Sequence, residues 1–164
     1  MGHPKKQRKK YEKPFKPFDK DRIEKEKKLM GEYGLKRKHE IWRANSILRN
    51  FRRRARDLQA SRNEQKKAEL LERMNTLGIT CVKLEDVLDV KVEDILSRRL
   101  QTIIFKKNIV NTPKQSRQLI VHGHVRIQKR KILWPGYIVP AGLEDTIEVS
   151  PKMRTKFIEE SKEA

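Results

Sequence analysis

Apolar residues recur at helical spacing along most of the chain, and only near the carboxyl end does the period shorten to two. The clearest stripe is Ile41, Ala44, Leu48, Phe51, Ala55 and Leu58. Its alternating steps of three and four place these residues on one side of a helix from about His39 to Gln59. Upstream, Asp21 to Tyr33 reads as a short charged helix stopped by Gly34, with Ile23, Met30 and Tyr33 able to pack. Downstream, Ser61-Arg62-Asn63-Glu64 predicts a third helix in which the Ser61 hydroxyl and the Glu64 carboxylate cap each other's backbone N–H groups. Gly78 closes it, and Ala68, Leu71, Met74 and Leu77 form its expected apolar side.

From Val92 the pattern grows denser: Val92, Ile95, Leu96, Leu100, Ile103 and Ile104 predict one helix running to about Lys107. Arg99, Thr102 and Lys106 stand at i, i+3 and i+7, so they are expected to project together beside the buried edge. A further helix opens at Thr112-Pro113-Lys114-Gln115. Thr112 suits the N-cap, Pro113 the first helical position and Gln115 the capping box. It is short, because Gly123 after His122 favours a left-handed stop. Leu119 and Ile120 point inward, while Lys114, Arg117, Gln118 and Val121 share another face. Val125 and Ile127 then alternate with His124, Arg126 and Gln128, as in a half-buried strand, with Lys129-Arg130-Lys131 as its turn. Further short strands are expected around Ile132 to Trp134, Tyr137 to Val139 and Thr146 to Val149, separated by Pro135-Gly136 and Pro140-Ala141-Gly142.

The fold class is α+β: a helical amino-terminal region with a basic extended arm, then a small domain of two helices plus a short antiparallel sheet. The expected divisions are an arm over 1–20, a helical region over 21–91, the small domain over 92–150 and a charged tail over 151–164. The arm holds Pro4, Pro14 and Pro17 and almost no apolar period, so by itself it should not fold.

Charge turns this architecture towards a function. The 164 residues hold 41 Lys+Arg against 22 Asp+Glu, a net charge of +19. Residues 1–70 carry 24 of the cations and 10 of the anions. A polyanionic partner follows, and for a nucleic acid each phosphate neutralised releases counterions, so binding weakens steeply with salt. On the polar side of the long helix Arg49, Arg52, Arg53, Arg54 and Arg56 crowd into eight residues. Like charges at helical spacing repel, so phosphate binding is the favoured explanation. Lys5, Lys6, Arg8, Lys9 and Lys10 offer the arm the same chemistry. Trp42 beside the stripe is assigned to packing rather than to base stacking.

Enzymatic chemistry lacks a constellation: there is no Gly-rich phosphate loop, no nucleophile elbow, and no metal-ligand spacing beyond His122-x-His124. No cofactor or metal is expected. Cys81 is the single cysteine and reads as a small buried apolar residue, in keeping with a reducing cytosol. The amino terminus lacks the apolar middle of a signal peptide, and no segment has the length and apolarity of a membrane span. Neither a membrane nor a homo-oligomer is called for.

Ser97-Arg98-Arg99-Leu100, the run Ser116-Arg117-Gln118-Leu119-Ile120-Val121-His122-Gly123-His124-Val125, and Tyr137 together resemble the RNA-binding domain of the small-subunit ribosomal S-four family, over roughly residues 95–150. The opening Pro4-Lys5-Lys6-Gln7-Arg8-Lys9-Lys10-Tyr11 and the helices up to Gly78 resemble the amino-terminal region of the archaeal and eukaryotic form, and the modest length favours the archaeal one. The resemblance implies an RNA surface of Arg99, Lys106, Thr112, Lys114, Arg117, Gln118, His122 and His124; Arg126, on the strand that follows, is a further candidate. It implies direct binding to small-subunit ribosomal RNA, nucleation of assembly of the subunit body, and a part in translational accuracy beside the ribosomal proteins S-five and S-twelve. Two departures stand out: Lys129-Arg130-Lys131 replaces the Gly-containing turn of many bacterial members, and the amino-terminal zinc-binding cysteines of some members are absent. A non-ribosomal RNA-binding factor with the same domain, or an RNA-modifying enzyme to which it is appended, is the alternative. The latter lacks a catalytic domain of ordinary size here.

Overall fold

The computed structural model describes residues 8–61 and 63–151. Among the described residues, seven α-helices lead into a three-stranded sheet. Helix α1 (Lys20–Glu32) is started by the Asp19 side chain, which accepts from the Arg22 N–H, and α2 (Lys38–Ala60) follows. Ile41, Ala44, Leu48, Phe51 and Ala55 are all buried along α2, as their spacing predicts. Helix α3 (Glu64–Thr76) is capped by Asn63, not by Ser61. The Asn63 side chain accepts from the Lys66 N–H, whereas the Ser61 hydroxyl donates backwards to the Leu58 carbonyl at 3.3 Å. Two good capping residues stand two apart, and the later one starts the helix; Leu70 and Met74 are buried, Leu71 and Leu77 pack against the same core as expected, and Ala68 faces solvent.

A short helix α4 (Leu84–Asp89), unforeseen in the sequence, precedes α5 (Val92–Ser97) and α6 (Leu100–Lys106). The single helix expected from Val92 to Lys107 is therefore two. Arg99 at the break is extended (φ −72°, ψ 142°) and bridges Ile138 as an antiparallel strand would. Leu100 N–H donates to the Tyr137 carbonyl at 2.8 Å, and Val139 N–H to the Arg98 carbonyl at 3.0 Å. Those backbone groups serve the 137–139 segment instead of a continuous helix, which the apolar period cannot reveal because both halves bury apolar residues.

Helix α7 (Pro113–Val121) carries the anticipated capping box, with Thr112 Oγ1 accepting from the Gln115 N–H and Gln115 Oε1 from the Thr112 N–H. The sheet has the order β2-β1-β3, antiparallel throughout: β1 is Val125–Ile127, β2 Arg130–Lys131 and β3 Ile147–Val149. The β1–β2 turn is Gln128-Lys129, both left-handed (φ 48° and 66°), as a two-residue hairpin turn demands. Lys129-Arg130-Lys131 is thus not itself the turn, since Arg130 and Lys131 pair with Ile127 and Arg126. Ile132 to Trp134 forms no strand, and Tyr137 to Val139 contributes only the Arg99–Ile138 bridge.

Two apolar cores result. The first gathers α2, α3, α4 and α5, from Leu35 through Met74 and Cys81 to Leu96. Burial pushes the Cys81 thiol up from its ordinary range, with Asp86 and Asp94 adding to the shift. The second core joins α6, α7 and the sheet: Leu100, Ile103, Ile104, Leu119, Ile120, Val125, Ile127 and Val139. The chain passes from one to the other between Leu96 and Leu100, at the break before α6.

Candidate nucleic-acid interface

A polar junction fixes the two cores against each other. Glu40, in the first turn of α2, accepts from the backbone N–H groups of Lys36 (3.2 Å) and Arg37 (3.3 Å) and so caps its own helix. The same carboxylate takes hydrogen bonds from Arg99 Nη2 and from both terminal nitrogens of Arg117, the latter at 3.2 Å. Burial by itself would raise the Glu40 carboxyl above its ordinary 4.5, but the Arg117 and Arg99 hydrogen bonds and charges outweigh it and hold the group at about 2. Beside it the buried Gln101 Nε2 donates to the carbonyls of Tyr33, Gly34 and Pro113 at 3.1, 3.0 and 2.9 Å. Gly34 is left-handed (φ +58°), and a Cβ there would stand 2.8 Å from Pro113 Cβ, so only glycine lets the end of α1 approach the start of α7.

This junction corrects the expected polar row beside α6. Arg99 is buried against Glu40, and Thr102 is buried with its hydroxyl donating to the Leu96 carbonyl at 2.8 Å. Of the three, Lys106 alone is exposed. Arg117 is half-buried and bound to Glu40. Lys114, Gln118, His122 and Arg126 are exposed, and Thr112 is exposed while capping α7. The His122 and His124 rings sit 6.3 Å apart between centroids, and no group of three or more potential ligands among the described residues is arranged to hold a metal.

The five arginines crowded between positions 49 and 56 of α2 divide by partner. Arg53, Arg54 and Arg56 are exposed, whereas Arg52 turns back to donate to the Val90 carbonyl at 2.6 Å and Arg49 pairs with Glu12. Arg54 stands 14 positions beyond Glu40, which at 1.5 Å per residue is roughly 20 Å along the helix. The α2 arginines and the junction therefore occupy different parts of one rod. Within the arm, Arg8, Lys9 and Lys10 are exposed, and Lys5 and Lys6 lie outside the described residues. The arm is not free over its described part. Tyr11 stacks on His39 at 5.6 Å and leans on Trp42 at 5.9 Å, and Glu12 N–H donates to Ser46 Oγ at 3.2 Å. Trp42 is half-buried, with its indole N–H donating to the buried Glu26 at 2.9 Å, which is the packing role expected of it.

The sequence did not single out Glu40, Gln101, or three exposed aromatics: Phe15, Phe18 and Trp134. Glu40 stands as one acid in Lys36-Arg37-Lys38-His39-Glu40, and this isolation was the only available signal. Trp134 lines a cleft of about 840 Å³ between the start of α2 and the 134–138 segment, to which both units contribute. No helix among the described residues is long and apolar enough to cross a membrane.

Comparison with known proteins bears on the whole length. The S4 domain family matches residues 98–145, the region of α6, α7, β1 and β2. The chain is 44% identical to small ribosomal subunit protein uS4 of Methanothermobacter thermautotrophicus over 161 residues, covering 95% of this chain and 94% of that protein. It is 42% identical to the uS4 protein of Methanoregula boonei, over 93% of this chain and 88% of that one. Against the uS4 protein of Hyperthermus butylicus the identity is 46%, over 92% and 89% respectively. A chain that keeps an S4 domain behind a helical unit, and matches archaeal relatives along nearly all of both, belongs to the uS4 family of small ribosomal subunit proteins.

Proposed function

We propose that this chain binds small-subunit ribosomal RNA directly, through exposed cations of the small domain and of α2, and thereby helps nucleate assembly of the subunit body. As a member of its family it is a structural ribosomal protein and not an enzyme. The carrying observation is the division of its cations. Half-buried Glu40 absorbs Arg99 and Arg117 into the junction, while Lys106, Lys114 and Arg126 stand exposed on the small domain. In this reading those three, with Gln118, His122 and His124, meet phosphate and sugar, and Arg99 and Arg117 hold the surface in shape. Arg53, Arg54 and Arg56 add a second set of phosphate contacts, and Arg8, Lys9 and Lys10 a third. A contribution to translational accuracy, contacts with the neighbouring proteins S-five and S-twelve, and residence in cytoplasmic ribosomes belong to the same proposal.

Sedimentation through a high-salt sucrose gradient tests it. A constitutive component stays with small subunits, and recovery at the top of the gradient would reassign the chain to a transient factor. Nitrocellulose filter binding to a small-subunit RNA fragment tests the surface: Lys114→Ala with Arg126→Ala should weaken binding at unchanged circular dichroism.

A further inference from the structure

We infer that the cleft between α2 and the 134–138 segment holds one unpaired nucleotide of the bound RNA, with its base stacked on Trp134. This rests on the RNA-binding proposal and adds a second, different kind of contact to it. Trp134 is 70% exposed, although a tryptophan of a folded domain is normally largely buried. Its backbone is anchored: Tyr137 N–H closes a turn on the Trp134 carbonyl at 3.1 Å, and the chain just beyond is tied to α6 by Leu100 N–H to the Tyr137 carbonyl and Gln101 N–H to the Pro135 carbonyl. An indole on a fixed backbone has only two torsions to order when a base stacks on it.

The rest of the lining suits the same occupant. Ala44, Ile47 and Ile138 supply apolar surface, fit for the face of a base. Lys36, Arg37 and Arg43 supply cations for its phosphate. Among the described residues Glu40 is the one carboxylate on the lining, and it is engaged by two guanidinium groups, so none of the described lining residues offers a free anion to repel a phosphate. At about 840 Å³ the cleft lies within the roughly 300–1,000 Å³ of pockets that enclose small organic ligands, ample for one nucleotide. An acidic protein segment would satisfy the cations but gives the exposed indole no flat partner, and so is the weaker fit.

The test uses the full chain, a fluorescein-labelled single-stranded RNA of mixed sequence about ten nucleotides long, and a labelled blunt-ended RNA duplex. Binding of the single strand should quench tryptophan fluorescence. Trp134→Ala should abolish that quench and weaken single-strand binding roughly tenfold, the size of one base stacked on an aromatic ring. Trp134→Phe should restore most of the affinity, and duplex binding should be unchanged in both variants. A quench that survives in Trp134→Ala, or an unaltered single-strand affinity, overturns the assignment while the RNA-binding proposal stands. Equal quenching of Trp134 by a polyglutamate peptide would give the cleft to an acidic protein segment instead. If the wild-type chain binds neither RNA, the broader proposal falls and the cleft assignment with it.

Discussion

Glu40 meets two demands with one carboxylate: it closes the first turn of α2 and forms ion pairs with two arginines of the other unit. Its side chain is 12% exposed and that of Arg99 7%, so removing the charge strands a buried guanidinium. Loss of one partner of a buried pair costs about 3 kcal/mol or more. For a chain of this size Glu40→Gln should therefore lower the melting temperature by roughly 6–12 °C, read by differential scanning calorimetry. The pH dependence has a definite sign. The folded carboxyl lies at about 2, below its ordinary 4.5. The stabilisation is thus complete above about pH 4.5 and disappears as pH falls towards 2. In that window wild type should lose its advantage over Glu40→Gln, and an advantage constant down to pH 2 would contradict the ion-pair account. Glu40 was invisible in the sequence because its partners lie 59 and 77 residues away, and periodicity registers only neighbours.

The same division of labour operates at the scale of the element, where α2 presents arginines of two kinds. Arg53, Arg54 and Arg56 are exposed, so replacing all three by Ala should leave thermal stability nearly unchanged. It should also flatten the salt dependence of RNA binding by about one unit of logarithmic slope for each phosphate no longer neutralised. Arg52→Ala should do the reverse. Its hydrogen bond to the Val90 carbonyl ties α2 to the chain beyond α4, and losing it should cost about 1–2 kcal/mol while the salt slope stays put. Chemical denaturation and filter binding at several salt concentrations separate the two outcomes; identical behaviour of Arg52 and the triplet would erase the distinction. Patterning made α2 and α7 legible because each has one apolar face and an unambiguous start. It failed at α5 and α6, where Leu96 and Leu100 belong to different cores yet continue one helical period. It failed at α3 for a smaller reason, a competition between Ser61 and Asn63 for the N-cap.

Across the whole molecule, two apolar cores meet at a junction that is largely polar: Glu40, Arg99, Arg117 and the Gln101 amide, with Gly34 admitting the close approach. Apolar contact alone would let two small units slide, because the hydrophobic effect has no direction, whereas hydrogen bonds to fixed carbonyls specify one orientation. That orientation matters if cations on both units are to match one RNA surface, since a tilt between them would misplace every cation on one side. Coupling of the two cores should then appear in native-state hydrogen exchange. In wild type at neutral pH, the slowest amides of α2, such as those of Leu48 and Phe51, and of α7 and β1, such as those of Ile120 and Val125, should open with the same free energy. Each pair lies in a different core. In Glu40→Gln the two sets should separate, the smaller second core opening first and α2 retaining most of its protection. Equal loss of protection in both cores would mean that apolar packing binds the units together, with the junction serving only local stability.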